Sequence, residues 1–271
     1  MDLGINGIGV LVTGASGGIG STIARALAAE GAMVAVHYFR NQAKAEELAT
    51  EIGGYAVRGD LSDPAEAASV IARAVAAIGK LDLCVANTGG WSDESLPIWE
   101  ISPERFEHTI KENLTATFLT CREYLRHVRA TGTGDIVLVS SISASIGEAG
   151  NSDYAAAKAA LSFGFARTLK NEIVRIAPRG RVNVVAPGWT LTDRVSDMLD
   201  PESVQQATAT RPLKRLSTPQ DVAKVVVWLA SPTASGMCTG QIVEVAGGME
   251  GRIVDMADRT QATEQPESVH T

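Results

Sequence analysis

The sequence predicts an α/β fold, a doubly wound parallel sheet of seven strands with helices on both faces. Short, continuously apolar runs alternate with longer helix-like segments, as expected of parallel strands that are buried on both sides. No linker rich in proline, glycine or serine and no internal repeat interrupts residues 1–251, which indicates one domain. Residues 252–271 are polar and lack periodicity, so we expect a flexible C-terminal tail.

The elements follow one another in strict alternation along the chain. The predicted strands occupy residues 8–13, 33–38, 55–59, 81–86, 135–140, 181–186 and 241–245. The predicted helices occupy residues 18–30, 42–52, 64–78, 103–130, 152–176 and 219–230. Asp63 precedes Pro64 and is expected to cap the third helix. A polar and less periodic segment, residues 189–217, separates the sixth strand from the last helix.

Charge and composition exclude several classes of protein. The formal net charge of −7 argues against a general nucleic-acid or anionic-membrane surface. The first residues contain no basic segment before an apolar core, and no run reaches the roughly 20 apolar residues that span a bilayer. Cys84, Cys121 and Cys238 form no metal-ligand spacing. We therefore expect a cytoplasmic protein with no metal site and no nucleic-acid or membrane partner.

A glycine-rich turn joins the first strand to the first helix, in the segment 13–20, Thr-Gly-Ala-Ser-Gly-Gly-Ile-Gly. Glycines at such a turn let the backbone approach a pyrophosphate, and the helix N-terminus supplies amide donors and a favourable dipole. A glycine-rich turn without a ligand is the alternative. The position between strand and helix favours a dinucleotide site of the Rossmann type. The turn residues expected at the cofactor are Gly14, Ser16, Gly17, Gly18, Ile19 and Gly20.

Tyr154 and Lys158 are four residues apart, so they share one face of a helix. A free phenol has a pKa of about 10, and a nearby ammonium favours the phenolate. Ser141, at the end of the fifth predicted strand, could hold a carbonyl oxygen against that phenol. The spacing is common in helices that carry no chemistry, but beside a dinucleotide turn it predicts a proton-transfer site for alcohol–ketone interconversion.

Together these motifs resemble the short-chain dehydrogenase/reductase family, and most closely its β-ketoacyl-carrier-protein reductase-like subgroup. The resemblance covers about residues 5–250. The family's glycine motif is matched by Thr13, Gly14, Gly18 and Gly20, its catalytic set by Asn113, Ser141, Tyr154 and Lys158, and its other motifs by Asp60-Leu61, Pro187-Gly188, Thr192 and Val245-Ala246-Gly247-Gly248. One motif departs from the family, because Ala86-Asn87-Thr88-Gly89 carries threonine where the family has alanine.

The resemblance implies roles for the four catalytic candidates. Tyr154 is expected to donate a proton to the substrate oxygen in reduction, or to remove one in oxidation. Lys158 is expected to lower the pKa of Tyr154 and to bind the nicotinamide ribose. Ser141 would orient and polarise the substrate oxygen. Asn113 would hold a water molecule in a proton relay that reaches Lys158.

The end of the second strand bears on the choice between NAD and NADP. Enzymes that bind NAD usually carry an acid there, and here Tyr38 stands at that position. Arg40 is close enough in sequence to meet a 2′-phosphate, with His37 a weaker candidate. NADP(H) is therefore favoured and NAD(H) is possible. The other residues expected at the cofactor are Asp60, Leu61, Asn87, Gly89, Tyr154, Lys158, Pro187, Gly188, Thr190 and Thr192.

The substrate class and the assembly are less constrained. The substrate is expected to be a small carbonyl or alcohol compound, bound in a pocket lined by apolar residues of the segment 189–217 and of an upstream loop. The alternative is that these residues anchor the loops or belong to an interface between subunits. They are Trp91, Leu96, Trp99, Trp189, Met198 and Leu199. The helix that begins near Tyr154 is rich in small residues, and members of the family that the chain resembles commonly pair this helix and the one before it across a two-fold axis, so we expect a homotetramer. Three activities stay open: an NADPH-dependent carbonyl reductase, an NAD-dependent alcohol or sugar dehydrogenase, and a non-catalytic dinucleotide-binding regulator.

Overall fold

The computed structural model describes residues 2–197, 201–209 and 211–249 of the chain. At its centre is a parallel sheet with the strand order β3-β2-β1-β4-β5-β6-β7. The strands are β1 (Gly9–Val12), β2 (Met33–Tyr38), β3 (Tyr55–Arg58), β4 (Leu83–Ala86), β5 (Asp135–Val139), β6 (Val182–Pro187) and β7 (Ile242–Val245). The order reverses between β1 and β4, and in such sheets the crevice at the carboxyl ends of these two strands binds ligands.

Helices cover both faces of the sheet. They are α1 (Gly18–Ala29), α2 (Gln42–Ile52), α3 (Pro64–Ile78), α4 (Pro103–Ile110), α5 (Ala116–Thr131), α6 (Ser143–Ile146), α7 (Ser152–Ala159), α8 (Ala166–Ile173), α9 (Asp193–Ser196), α10 (Pro201–Ala209) and α11 (Pro219–Ala230). The predicted doubly wound α/β fold with seven parallel strands is confirmed.

Strand periodicity explains why two separate cores form. Val10 and Val12 point to one face of β1 and pack with α1, α2 and α11, whereas Leu11 points to the other and packs with α3, α5 and α8. All three are fully buried. At about 2 kcal/mol for each buried aliphatic side chain, these two layers supply much of the stabilisation. They also hold the carboxyl ends of β1 and β4 in register.

The helix ends follow the expected capping chemistry. The Asp63 carboxylate accepts hydrogen bonds from the amides of Ala65 and Glu66, so the predicted cap of α3 is present. Ser102 accepts from the amide of Arg105 in the same way at the start of α4. These caps set where α3 and α4 begin.

Three segments differ from the sequence predictions. The helix predicted at 103–130 contains a π-helical segment, Lys111–Thr115, between α4 and α5. The helix predicted at 152–176 contains another, Ala160–Phe165, and α8 ends at Ile173. The polar segment 189–217 contains two short helices, α9 and α10. The π-helical segments are rare and each lasts about one turn within a long helix, so hydrophobic spacing over the whole helix does not reveal them.

The predicted C-terminal tail, residues 252–271, lies outside the described residues. Within the described ranges, no helix has both the length and the apolarity needed to cross a membrane.

Candidate active site

The glycine-rich turn forms an open cradle at the carboxyl end of β1. Gly14 has a φ of +61°, a conformation that favours glycine. A Cβ at Gly20 would collide with the carbonyl oxygen of Gly14, so α1 can approach this closely only without a side chain there. Gly17 is the N-cap of α1, and no side chain caps it. The first amides of α1 are therefore available to an anion such as a pyrophosphate, and the turn fits a dinucleotide.

Two side chains from neighbouring strands hold this turn in place. Asn87, directly after β4, donates through Nδ2 to the carbonyl oxygens of Thr13 (3.0 Å) and Gly14 (3.3 Å). His37 on β2 accepts the amide of Gly14 at Nδ1 (3.1 Å), and its Nε2 lies 3.0 Å from the carbonyl oxygen of Gly59. His37 is buried, and burial lowers its pKa to about 4, so it is neutral near pH 7. His37 is thus a structural support and cannot contact a 2′-phosphate.

The end of β2 carries a cation and no acid. Tyr38 is buried, while the Arg40 guanidinium is largely exposed and lies 3.8 Å from Glu112. Burial acts to raise the pKa of Asp60, but hydrogen bonds from Ser62 and the charges of Lys111 and Arg40 hold it below its usual range. The positive charge of Arg40 therefore acts on Asp60. Both residues lie at the edge of the sheet where the adenosine half of a dinucleotide would bind.

The carboxyl end of β6 closes the other side of the crevice. The Pro187 carbonyl accepts the amide of Ile142, which ties β6 to the segment after β5. The Thr190 hydroxyl donates to the carbonyl oxygen of Gly188 at 2.8 Å. Thr192 lies against Gly18, where an added Cβ would come within 2.8 Å of Thr192 Cγ2. The segment after β6 thus reaches the glycine-rich turn, as expected for residues on both sides of one cofactor.

Tyr154 and Lys158 lie side by side on α7, as the spacing predicts. The Lys158 ammonium is 5.5 Å from the centre of the Tyr154 ring and donates to the carbonyl oxygen of Val139 at the end of β5. Ser141 stands opposite on the segment after β5, and its Oγ accepts from the hydroxyl of Ser143 at 2.9 Å. The three predicted side chains therefore meet at the carboxyl end of β5.

The protonation of this pair differs from the sequence expectation. Burial raises the pKa of Tyr154 to about 12, with the charge of Glu148 adding to the effect and a hydrogen bond with Ser141 opposing it. Burial lowers the pKa of Lys158 to about 8. The expected lowering of the Tyr154 pKa is absent, because the cost of burying a phenolate is the largest effect and Lys158 is not among the groups that lower this pKa. Near pH 7 Tyr154 carries its proton and Lys158 is mostly charged.

Asn113 lies at the centre of the π-helical segment and is fully buried. Its Nδ2 donates to the carbonyl oxygen of Gly90 at 2.8 Å, and its Oδ1 accepts the amide of Gly90 at 3.2 Å. A Cβ at Gly89 would collide with Asn113 and lie 3.2 Å from Lys158 Nζ. Asn113 thus fixes the loop after β4 beside Lys158, while the predicted water relay between them stays a prediction.

Sequence reasoning missed an ion pair that anchors the start of α7. Asp153, next to Tyr154, is buried and accepts from Arg105 Nε (3.2 Å) and the Thr109 hydroxyl (2.8 Å). Arg105 also donates to the carbonyl oxygen of Glu94 at 2.9 Å. This contact locks the first turn of α7 to α4 and to the loop after β4. An acid directly before the tyrosine was the available signal, but its partner is distant in sequence.

Of the aromatic residues expected around the substrate, Trp91 stands at the site. Its ring meets Tyr154 edge to face, with centroids 6.3 Å apart. Trp99, in contrast, is 81% exposed, and Met198 and Leu199 lie outside the described residues. Within the described part of the chain, no group of three or more histidine, cysteine or acidic side chains is placed to hold a metal ion.

Comparison with known proteins places this site in a family. The family model described as enoyl-(acyl carrier protein) reductase matches residues 14–250. Cis-4-hydroxycyclohexanecarboxylate dehydrogenase from Sinomonas cyclohexanicum is 38% identical over 243 residues, which cover 88% of this chain and 94% of that protein. The 3-oxoacyl-[acyl-carrier-protein] reductase FabG of Chlamydia pneumoniae is 36% identical over 254 residues, covering 92% and 99%.

A solved structure agrees with this placement. The 7α-hydroxysteroid dehydrogenase in complex with NADH and 7-oxo glycochenodeoxycholic acid superposes with a TM-score of 0.84 at 29% identity, covering 93% of this chain and 98% of that one. Fold, motif order and relatives agree, and the chain belongs to the short-chain dehydrogenase/reductase family of oxidoreductases.

Proposed function

We propose that the protein transfers hydride between NADP(H) and a small carbonyl or secondary alcohol substrate. The observation that carries the proposal is the meeting of Tyr154, Lys158 and Ser141 at the end of β5, beside the open glycine-rich turn. A bound nicotinamide would supply or accept the hydride. The fit of the turn to a pyrophosphate supports such a cofactor.

Tyr154 and its neighbours would handle the proton. In reduction, Tyr154 Oη donates its proton to the carbonyl oxygen as the carbonyl carbon gains hydride, which leaves an alcohol and a phenolate. Lys158, mostly charged near pH 7, stabilises that phenolate. Ser141 positions the carbonyl oxygen of the substrate next to Tyr154 Oη. In oxidation the same groups act in reverse.

NADP(H) is the cofactor that the charges favour. The Arg40 guanidinium is exposed at the end of β2, where an acid would repel a 2′-phosphate and none is present. NAD(H) stays a candidate, because the solved relative contains NADH. The weak contact between Arg40 and Glu112, at 3.8 Å between exposed groups, would yield readily to a phosphate.

The relatives point to two substrate types. One is a dehydrogenase of a hydroxycyclohexanecarboxylate and the other reduces 3-oxoacyl groups on a carrier protein. Both carry the reacting oxygen on a secondary carbon, so a ketone or secondary alcohol is the shared class. An alcohol or sugar dehydrogenase is the second candidate function, favoured by the first relative. A non-catalytic regulator is a weaker one, since the whole proton-transfer set is present.

Turnover measurements separate these candidates. The purified protein is offered cyclic ketones, 3-oxoacyl thioesters, sugars and secondary alcohols, each with NADPH, NADH or the oxidised cofactor, and the nicotinamide absorbance is followed. We expect ketone reduction with a kcat/KM that is higher for NADPH than for NADH. Cofactor binding without turnover of any substrate would contradict the proposal and favour the regulator.

We also propose that the protein is a homotetramer. Phe118 on α5 and Phe163 between α7 and α8 are each more than 40% exposed. Arg122 and Arg167 lie over these two rings, at 5.8 Å and 5.3 Å. Exposed aromatic rings on the outer faces of these helices are typical of an interface between subunits.

A further inference from the structure

Trp91 contacts both the proposed proton donor and a cation. The indole meets Tyr154 edge to face, and the Arg194 guanidinium lies 4.5 Å from the indole centre. Trp91 belongs to the loop after β4, whereas Arg194 belongs to α9, in the segment after β6. The loop after β4 and α9 thus bring the positive charge of Arg194 and the ring of Tyr154 into contact with the same indole.

Arg194 has bonding capacity left for a ligand. Its Nε and Nη2 pair with the Asp93 carboxylate, and Nη2 also donates to the carbonyl oxygen of Trp91 at 3.1 Å. Its Nη1 makes no hydrogen bond to any described residue and faces Gly90, where an added Cβ would lie 3.9 Å away. A guanidinium has five N–H donors, so Nη1 can bind an incoming carboxylate while Nε keeps Asp93.

The pair with Asp93 does not remove Arg194 from use. Both side chains are exposed, by 46% for Arg194 and 66% for Asp93. Ion pairs in such positions contribute little to stability. A substrate carboxylate that becomes shielded from water between the indole and the cofactor would form the stronger, charge-assisted contact.

Near Tyr154, the negative charge of Glu148 contrasts with the positive charge of Arg194. Glu148 is partly buried, and its charge helps to raise the pKa of Tyr154. It lines an open surface depression of about 620 Å³ to which neither Trp91 nor Arg194 contributes. The depression is lined by Ile146, Gly147, Glu148, Ala149, Ser152, Ala155 and Met249. A carboxylate near Glu148 would be repelled and one near Arg194 attracted, so the charges favour one orientation of an acidic substrate.

We propose that Arg194 binds the carboxylate of a hydroxy-acid or oxo-acid substrate whose carbon skeleton lies on Trp91. Arg194 and Tyr154 both contact the Trp91 indole, so a substrate that lies on this ring can present its carboxylate to Arg194 and its reacting oxygen to Tyr154. This inference rests on the proposed function, because it assigns the substrate class to the same site. Arg194 determines specificity and Trp91 supplies the apolar wall.

Binding of paired probes tests the charge directly. Cyclohexanecarboxylate and its neutral amide, cyclohexanecarboxamide, are titrated into the protein saturated with oxidised cofactor. We expect the acid to bind about 10-fold more tightly than the amide, and Arg194→Met to abolish that difference. Arg25→Met is the matched control, since Arg25 is equally exposed and also pairs with a carboxylate, Glu51. An acid-to-amide ratio near one in the wild type, or one unchanged by Arg194→Met, would overturn the proposal.

Turnover of the corresponding ketones separates recognition of the carboxylate from support of Trp91. With 4-oxocyclohexanecarboxylate, Arg194→Met is expected to raise KM about 10-fold and to change kcat less than about threefold. With the neutral 4-oxocyclohexanecarboxamide it should change neither. Equal losses on both ketones would show that Arg194 only supports the indole, which overturns the proposal.

A substitution at Asp93 should change KM in the opposite direction to Arg194→Met. Asp93→Asn removes a negative charge that would repel the substrate carboxylate bound at Nη1, so it should lower KM for the acid by about threefold. An increase in that KM would count against the proposal. If the wild type reduces no ketone at all, the proposed function fails, whereas the probe titration still decides whether Arg194 binds carboxylates.

Discussion

At the scale of single residues, the protonation states of Tyr154 and Lys158 give the two side chains different roles. Burial holds the proton on Tyr154 and lowers the pKa of Lys158 only to about 8, so near pH 7 an acid stands beside a cation. A phenol with a pKa of about 12 is a weak acid by itself. The neighbouring ammonium therefore matters most as the phenolate forms, when its charge interaction is greatest.

Arg40 is predicted to select the phosphorylated cofactor. Arg40→Met should weaken NADPH binding about 10-fold, because one charge-assisted hydrogen bond to the 2′-phosphate is lost. NADH binding should change little. The check is the dissociation constant of each cofactor by fluorescence titration, with exposed Arg129→Met as the control for loss of one positive charge. Equal weakening of both cofactors would contradict a role in selection.

His37 makes stability depend on pH. Its pKa falls from 6.5 to about 4 on folding, so between these values the unfolded chain binds more protons than the folded one. Its contribution is present above pH 6.5 and is lost as the pH falls towards 4, by roughly 3 kcal/mol in total. Glutamine can still accept and donate hydrogen bonds but does not titrate. In His37→Gln, the unfolding free energy should therefore decrease less between pH 7 and pH 4 than in the wild type. Denaturant unfolding at several pH values measures this, and an unchanged slope would contradict it.

At the scale of elements, the π-helical segment after α4 aims Asn113 at the loop after β4. Asn113→Ala leaves the amide and the carbonyl of Gly90 without partners, which should cost about 2 kcal/mol of unfolding free energy. The loop should also loosen, so kcat should fall in this variant. Thermal unfolding and turnover measure the two effects. Asn171→Ala, exposed on α8, is the control, and equal effects of the two substitutions would argue against the assignment.

Element by element, the sequence predicts what depends on local pattern. The strands, the helix caps and the relative positions of Tyr154 and Lys158 follow from apolar runs, prolines and residue spacing. The π-helical segments do not, since each lasts about one turn and interrupts a helix whose overall period is α-helical. The lowered pKa expected for Tyr154 was wrong because burial, which spacing cannot reveal, is the largest effect on that pKa and raises it.

At the scale of the whole molecule, the site joins segments that lie far apart along the chain. Arg105 reaches Asp153, and Arg194 reaches Trp91 and Asp93, only because parallel strands bring their carboxyl ends to one edge. No local sequence pattern predicts these pairs. The resemblance to a family predicted the catalytic set, but these contacts required the fold.

Assembly is predicted at the same scale. Four chains of 28.4 kDa should give a single species of about four times that mass by light scattering, because closed symmetric assemblies are the usual outcome. Replacing both Phe118 and Phe163 with aspartate should shift the mass downward, since charge at an apolar interface opposes association. Phe39→Asp, at a similarly exposed ring, is the control. A monomeric wild type would contradict the proposed tetramer.

The central claim, that Tyr154 is the proton donor of a hydride-transfer enzyme, is tested most directly by Tyr154→Phe. The substitution removes the hydroxyl and keeps the ring that packs against Trp91. With the best ketone and NADPH, kcat should fall by about 100-fold or more, while the dissociation constant of NADPH changes less than about threefold. A variant that binds the cofactor and retains the wild-type kcat would contradict the account.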